Sequence, residues 1–123
     1  MKIFLIISAI FPVLFGVPLI VAPAAMFGTL GIDVTPAIAQ MAGTQGAAML
    51  GLGVINWLAR NLTGRTVVPV LAGNLAVQLL SLVVLLRAMA GGAPLSTNLV
   101  SVAIHSAFSA GFAYFLFRER GRA

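Results

Sequence analysis

Residues 66–86 read TVVPVLAGNLAVQLLSLVVLL, an apolar run without a charge, bounded by Arg65 and Arg87. Its length matches the ~20 residues that a helix needs to cross a bilayer core. Working outward, three further stretches have the same character, at about 3–22, 37–59 and 98–117. The expectation is an all-α polytopic membrane protein. It takes the form of an antiparallel four-transmembrane-helix bundle, with 1–123 as a single transmembrane domain.

The charges fix the expected threading. Only Asp33 and Glu119 are acidic, and neither lies in an apolar run. In a four-span chain Lys2, Arg60, Arg65, Arg118, Arg120 and Arg122 share one side, and only Arg87 and Asp33 fall on the other. An excess of Lys and Arg marks the cytoplasmic side, so both termini are expected in the cytoplasm.

Composition agrees. Apolar residues make up 61% and charged residues 7%, against about a quarter charged in soluble domains. A soluble core of this size could not bury that much apolar surface. The net charge of +5 does not point to nucleic acid, because the basic residues flank apolar segments. Membrane lipids are the expected partner, at about 1 kcal/mol per basic residue near an anionic surface. Arg118, Arg120 and Arg122 form the expected headgroup anchor. The chain has no cysteine, which excludes disulfides, thiolate metal sites and thiol redox chemistry.

Pro12 and Pro18 interrupt the first run. A membrane helix carries such prolines when neighbours re-satisfy the freed carbonyls, so a kinked helix is expected. Pro23 and Phe27-Gly28-Thr29-Leu30-Gly31 close the segment. A rival reading makes this a cleaved leader, with Lys2 as its basic start and Ala22-Pro23-Ala24 as a small-residue cleavage site. The apolar run is longer than the usual leader core of about 7–15 residues, which favours a retained helix.

Thr35 before Pro36 reads as an N-cap followed by proline at the first helical position. Trp57 marks the cytoplasmic interface of the second span, where an amphipathic indole is at home, and Tyr114 lies near the inner end of the fourth. The turn Arg60 to Arg65, with Asn61 and Gly64, makes spans two and three antiparallel neighbours. Gly91-Gly92-Ala93-Pro94 breaks the chain after the third span, and Ser96 or Thr97 is the expected cap of the fourth.

Span two carries Ala39, Gly43, Ala47 and Gly51 at intervals of four, with Ala42 and Gly46 beside them. Small residues let membrane helices approach closely. Gly43, Ala47 and Gly51 are therefore the expected helix-packing residues, inside the bundle or at a homodimer seam.

Uncharged polar residues recur at helical spacing: Gln40, Thr44 and Gln45; Asn74, Gln78 and Ser81; Ser101, His105 and Ser109. With a rise of ~1.5 Å per residue, Gln45, Gln78 and His105 fall near the midplane, and Gln40, Ser81 and Ser101 higher in the outer half. Such groups are costly against hydrocarbon and should turn inward. Two readings stay open. One is an interhelical hydrogen-bond network. The other is a polar pocket for a small amphiphilic ligand, lined by Gln45, Gln78, His105, Ser81, Ser101 and Thr44.

Catalysis has little raw material. His105 is the one histidine, so a haem iron would need a second ligand from elsewhere. Neither Asp33 nor Glu119 is placed to orient the imidazole for a serine nucleophile. No metal, cofactor or catalytic residue is expected, and the chain is not expected to be an enzyme.

The stretch Gly46-Ala47-Ala48-Met49-Leu50-Gly51-Leu52-Gly53-Val54-Ile55-Asn56-Trp57-Leu58-Ala59-Arg60 resembles small four-helix bacterial inner-membrane proteins similar to the DoxX-like families. Pro23-Ala24-Ala25-Met26-Phe27-Gly28, Gly31-Ile32-Asp33 and Gly111-Phe112-Ala113-Tyr114 are also similar to segments of that group. The resemblance covers most of the chain. It implies a four-helix bundle in the bacterial inner membrane, and no catalytic residue. Small multidrug transporters share the span count but depend on a glutamate in the first helix, which this chain lacks. The leading expectation is a non-enzymatic scaffold or accessory subunit, with a membrane-protein partner or a homodimer. The alternative is binding or transport of a small lipophilic or amphiphilic ligand.

Overall fold

The structure, a computed structural model, describes residues 1–122; the side chain of Thr97 also lies outside the described residues. The elements are α1 (Lys2–Val21), α2 (Pro23–Gly28), α3 (Pro36–Ala59), a 3-10 turn at Gly64–Thr66, α4 (Val68–Ala90) and α5 (Leu95–Arg120), with no strand among the described residues. Four stretches are long and apolar enough to cross a membrane: Lys2–Val21, Pro36–Ala59, Gly64–Ala90 and Asn98–Arg120.

The sequence explains most of the boundaries. Thr35 caps α3, its hydroxyl oxygen accepting the Ile38 N–H at 3.3 Å, with Pro36 in the first turn. Residues 29–32 and 91–93 stop α2 and α4 in the same way. Gly31 (φ +69°) and Gly92 (φ +100°) adopt the left-handed conformation. The amides of Ile32 and Ala93 then reach back to the carbonyls of Phe27 and Ala88, and those of Gly31 and Gly92 to Gly28 and Met89. This pattern satisfies carbonyls that a helix end would otherwise orphan, and glycine adopts it without a Cβ clash.

Three boundaries differ from expectation. Residues 23–28 form a short helix, because Ala22, at φ −148° before a proline, leaves the helical conformation and the fixed φ of Pro23 suits the start of a new helix. The fourth helix starts at Leu95 with Pro94 as its N-cap, so Ser96 lies inside the helix and does not cap it. The expected cap at Thr97 lies outside the described residues. Helix α4 runs on to Ala90 and takes Arg87 into its last turn.

The chain divides into two compact units, Met1–Arg60 and Asn61–Ala123. In the first, α1 packs on α3, with α2 against both; in the second, α4 packs on α5. Large apolar side chains point outward on all four long helices, among them Leu14, Leu58, Leu80, Val84 and Phe117. In water that surface would demand a cover, whereas lipid solvates it and leaves only polar groups to be satisfied internally.

The α1–α3 contact rests on glycine. A Cβ added at Gly46 would stand 2.5 Å from the Gly16 carbonyl oxygen, and one at Gly16 2.9 Å from that of Gly46. A Cβ at Gly53 would stand 2.8 Å from the Ala9 oxygen. Gly16 and Ala9 are seven residues apart, as are Gly46 and Gly53, so the partner number rises as the α1 number falls. Backbones this close gain dispersion contacts and Cα–H···O interactions that larger residues would forfeit.

Candidate functional site

Pro12 has no N–H, so it cannot donate to the carbonyl of Ser8 four residues earlier. Asn56 makes good the loss: its Nδ2 donates to Ser8 O at 3.1 Å. Both residues are buried, and the Ser8 hydroxyl turns back to Leu5 O at 3.1 Å. A freed carbonyl in hydrocarbon would be costly, and one amide from the facing helix removes that cost. Asn56 was not among the expected site residues. The signal that finds it is Pro12, which obliges some neighbour to supply a donor.

The small-residue stripe lies elsewhere. Ala42, Gly46, Gly53, Asn56 and Ala59 are the buried residues of α3. Ala47 and Gly51 are exposed and Gly43 half-buried; a Cβ added at Gly43 or Gly51 meets nothing within 4 Å. Close packing against α1 therefore falls to the neighbouring row, Gly46 and Gly53. Within this unit nothing fills the Gly43–Ala47–Gly51 row.

In the second unit, Gln78 on α4 meets His105 on α5, with Gln78 Oε1 2.6 Å from His105 Nδ1. The pair forms one hydrogen bond between the two helices, its direction set by the imidazole tautomer. Both residues are half-buried. Gly64 and Glu119 make another contact in this unit, consistent with the same register. On that register Ser81 and Ser101 share a level, and both are half-buried. Ser109, one turn beyond His105, has a buried hydroxyl oxygen with no hydrogen-bond partner among the described residues.

Gln45 and Thr44 belong to the first unit. Both are exposed, and the Thr44 hydroxyl donates to Gln40 O at 3.0 Å. Of the expected ligand-binding residues, then, Gln78 and His105 are in direct contact. Asn74 is buried on α4 and donates to Val70 O at 2.9 Å.

Glu119, beyond the expected end of the fourth span, lies within α5. It is fully buried on the last turn of α5. Its Oε2 accepts the Gly64 N–H at 2.8 Å, and its Oε1 lies 3.1 Å from Arg122 Nη1 and 3.8 Å from Arg118 Nε. Gly64 can turn its amide inward because it takes φ +62°. Two of the three expected headgroup arginines are thus partly engaged within the protein, and Arg120 stays exposed. At the end of α3, the Arg60 guanidinium stacks 4.1 Å from the Trp57 ring centroid.

No His, Cys, Asp or Glu cluster that could hold a metal exists among the described residues. No family model, curated protein or solved structure matches the chain, so its chemistry is read from its own residues.

Proposed function

We propose that the chain is a non-enzymatic multi-pass protein of the bacterial inner membrane, a scaffold or accessory subunit that works through its helix faces. Its helices run antiparallel with both termini in the cytoplasm, in keeping with the bias of Lys and Arg. The resemblance to DoxX-like membrane proteins points the same way. One observation carries the proposal. On a single helix, Gly46 and Gly53 are filled by α1, while Gly43 and Gly51 meet nothing within 4 Å. A membrane helix with two small-residue rows, one used and one open, offers the open row to another helix. Much of the inventory of polar side chains supports this too. Asn56, Thr44 and Asn74 are turned onto backbone carbonyls of the chain itself.

The test is the size of the complex released gently from membranes. Gly51→Leu should leave the α1–α3 contact intact yet shift the chain to its monomeric mass. An unchanged mass in that variant rejects the scaffold.

A second reading has its own observation. Gln78 and His105, two of the polar residues expected to line a pocket, meet at 2.6 Å on facing helices, and this pair supports binding of a small amphiphilic ligand.

A further inference from the structure

We propose that the C-terminal end of α5 clamps the phosphate of an anionic phospholipid between Arg118 and Arg122, with Glu119 positioning both. The proposal rests on the second unit alone and owes nothing to the small-residue row of α3. Both arginines approach one oxygen. Glu119 Oε1 lies 3.1 Å from Arg122 Nη1 and 3.8 Å from Arg118 Nε, so those two nitrogens are within about 7 Å of one another. Two cations so close would repel without a carboxylate between them.

The cluster is layered. The Glu119 side chain is 1% exposed, whereas those of Arg118 and Arg122 are 39% and 56% exposed. A guanidinium has five N–H donors in a fixed plane, and contact with Glu119 engages one nitrogen of each. The rest of each fork is left for an acceptor from outside. An arginine already held in place has less rotamer freedom to lose on binding. The buried carboxylate therefore raises affinity for an anion although its own charge is negative.

Charge and depth choose the ligand. Arg65 follows Gly64 on the turn that Glu119 holds, and it is exposed. Three guanidinium groups against one carboxylate leave the cluster positive, which attracts an anion. Tyr114, exposed one turn before Arg118, marks the headgroup level, and Phe117 offers an exposed ring to acyl chains. A lipid phosphodiester at that level has two non-bridging oxygens, one for each guanidinium. Arg120 is exposed and forms no ion pair with Glu119 among the described residues. It adds only diffuse attraction.

The experiment is native mass spectrometry of the full chain in detergent with dioleoyl phosphatidylglycerol or dioleoyl phosphatidylcholine, with and without inorganic phosphate. The parent should retain phosphatidylglycerol about tenfold over phosphatidylcholine, the worth of one charge-assisted hydrogen bond. Arg118→Gln and Arg122→Gln should each remove most of that preference, and Arg120→Gln should leave it within about twofold. Glu119→Gln keeps an oxygen for the Gly64 N–H but gives up the charge that gathers the arginines. It should lower the preference severalfold even though it makes the chain more positive. A preference that rises in Glu119→Gln, or falls as far in Arg120→Gln as in Arg122→Gln, means a diffuse basic tail and overturns the clamp. Displacement of phosphatidylglycerol by equimolar inorganic phosphate overturns the lipid assignment and leaves a site for soluble phosphate. The comparison of Arg120→Gln with Arg122→Gln decides the question even if Glu119→Gln loosens the turn.

Discussion

The side-chain amide of Asn56 donates at 3.1 Å to the carbonyl of Ser8, the one carbonyl in that turn that Pro12 deprives of its helical donor. A proline on α1 and a polar residue on α3, 44 positions apart in sequence, are therefore one device. Proline opens the helix, and asparagine closes the hydrogen-bond account across the interface.

That coupling is measurable. Asn56→Leu should destabilise the detergent-solubilised chain by about 1–3 kcal/mol, the cost of a buried acceptor left alone. Pro12→Ala restores the missing N–H, so the double variant should recover part of that loss. A double-mutant cycle on thermal unfolding should give a coupling of about 1 kcal/mol. Strict additivity would show that Asn56 does not serve Pro12.

The two glycine rows of α3 should respond oppositely to the same methyl group. Gly46→Ala places a Cβ against the Gly16 backbone, and Gly53→Ala against that of Ala9. Each should lower stability by about 1–3 kcal/mol, as overpacking does. Gly43→Ala and Gly51→Ala meet open space and should stay within about 0.5 kcal/mol of the parent. Unfolding curves that fail to separate the two pairs would contradict the α1–α3 packing.

Glu119 should hold the α3–α4 connection to the end of α5. Glu119→Ala removes the acceptor of the Gly64 N–H and should speed tryptic cleavage after Arg65 severalfold. Glu119→Gln keeps an oxygen for Gly64 and should stay closer to the parent. Identical digestion of all three chains would mean that the buried carboxylate does not order the turn.

Because the chain lacks cysteine, single introduced cysteines report topology without background. Cysteine at position 2 or 122 should react with a membrane-impermeant maleimide only when the cytoplasmic face is opened. Cysteine at position 93 should react from the opposite face. Labelling of positions 2 and 93 from the same side would break the proposed threading, and labelling of both from the reversed faces would invert it.

Much of the fold was legible in local chemistry. Thr35 before Pro36 announces the start of α3, and the glycines at 31 and 92 mark stops that only a left-handed residue makes cheaply. The four apolar runs follow from length alone. What was not legible depends on pairing. Ala39–Gly43–Ala47–Gly51 and the row containing Ala42 and Gly46 are both small, and nothing within α3 says which one faces α1. The choice is made by Ala9 and Gly16 on the other helix, spaced to receive Gly53 and Gly46. Glu119 read as a tail residue because Arg118, Arg120 and Arg122 surround it. Its carboxylate meets the amide of Gly64, 55 positions earlier, a contact that no local pattern announces. Depth and spacing put Gln78 and His105 at one level, and the two side chains meet at 2.6 Å.

The most direct test of the scaffold proposal is a photo-crosslinking residue at position 47, in the middle of the open row, activated in intact membranes. The account predicts a protein-sized adduct, a second copy or a distinct membrane protein, that disappears in the Gly51→Leu background while the chain stays folded. Adducts to lipid alone, or a protein adduct indifferent to Gly51→Leu, would contradict it.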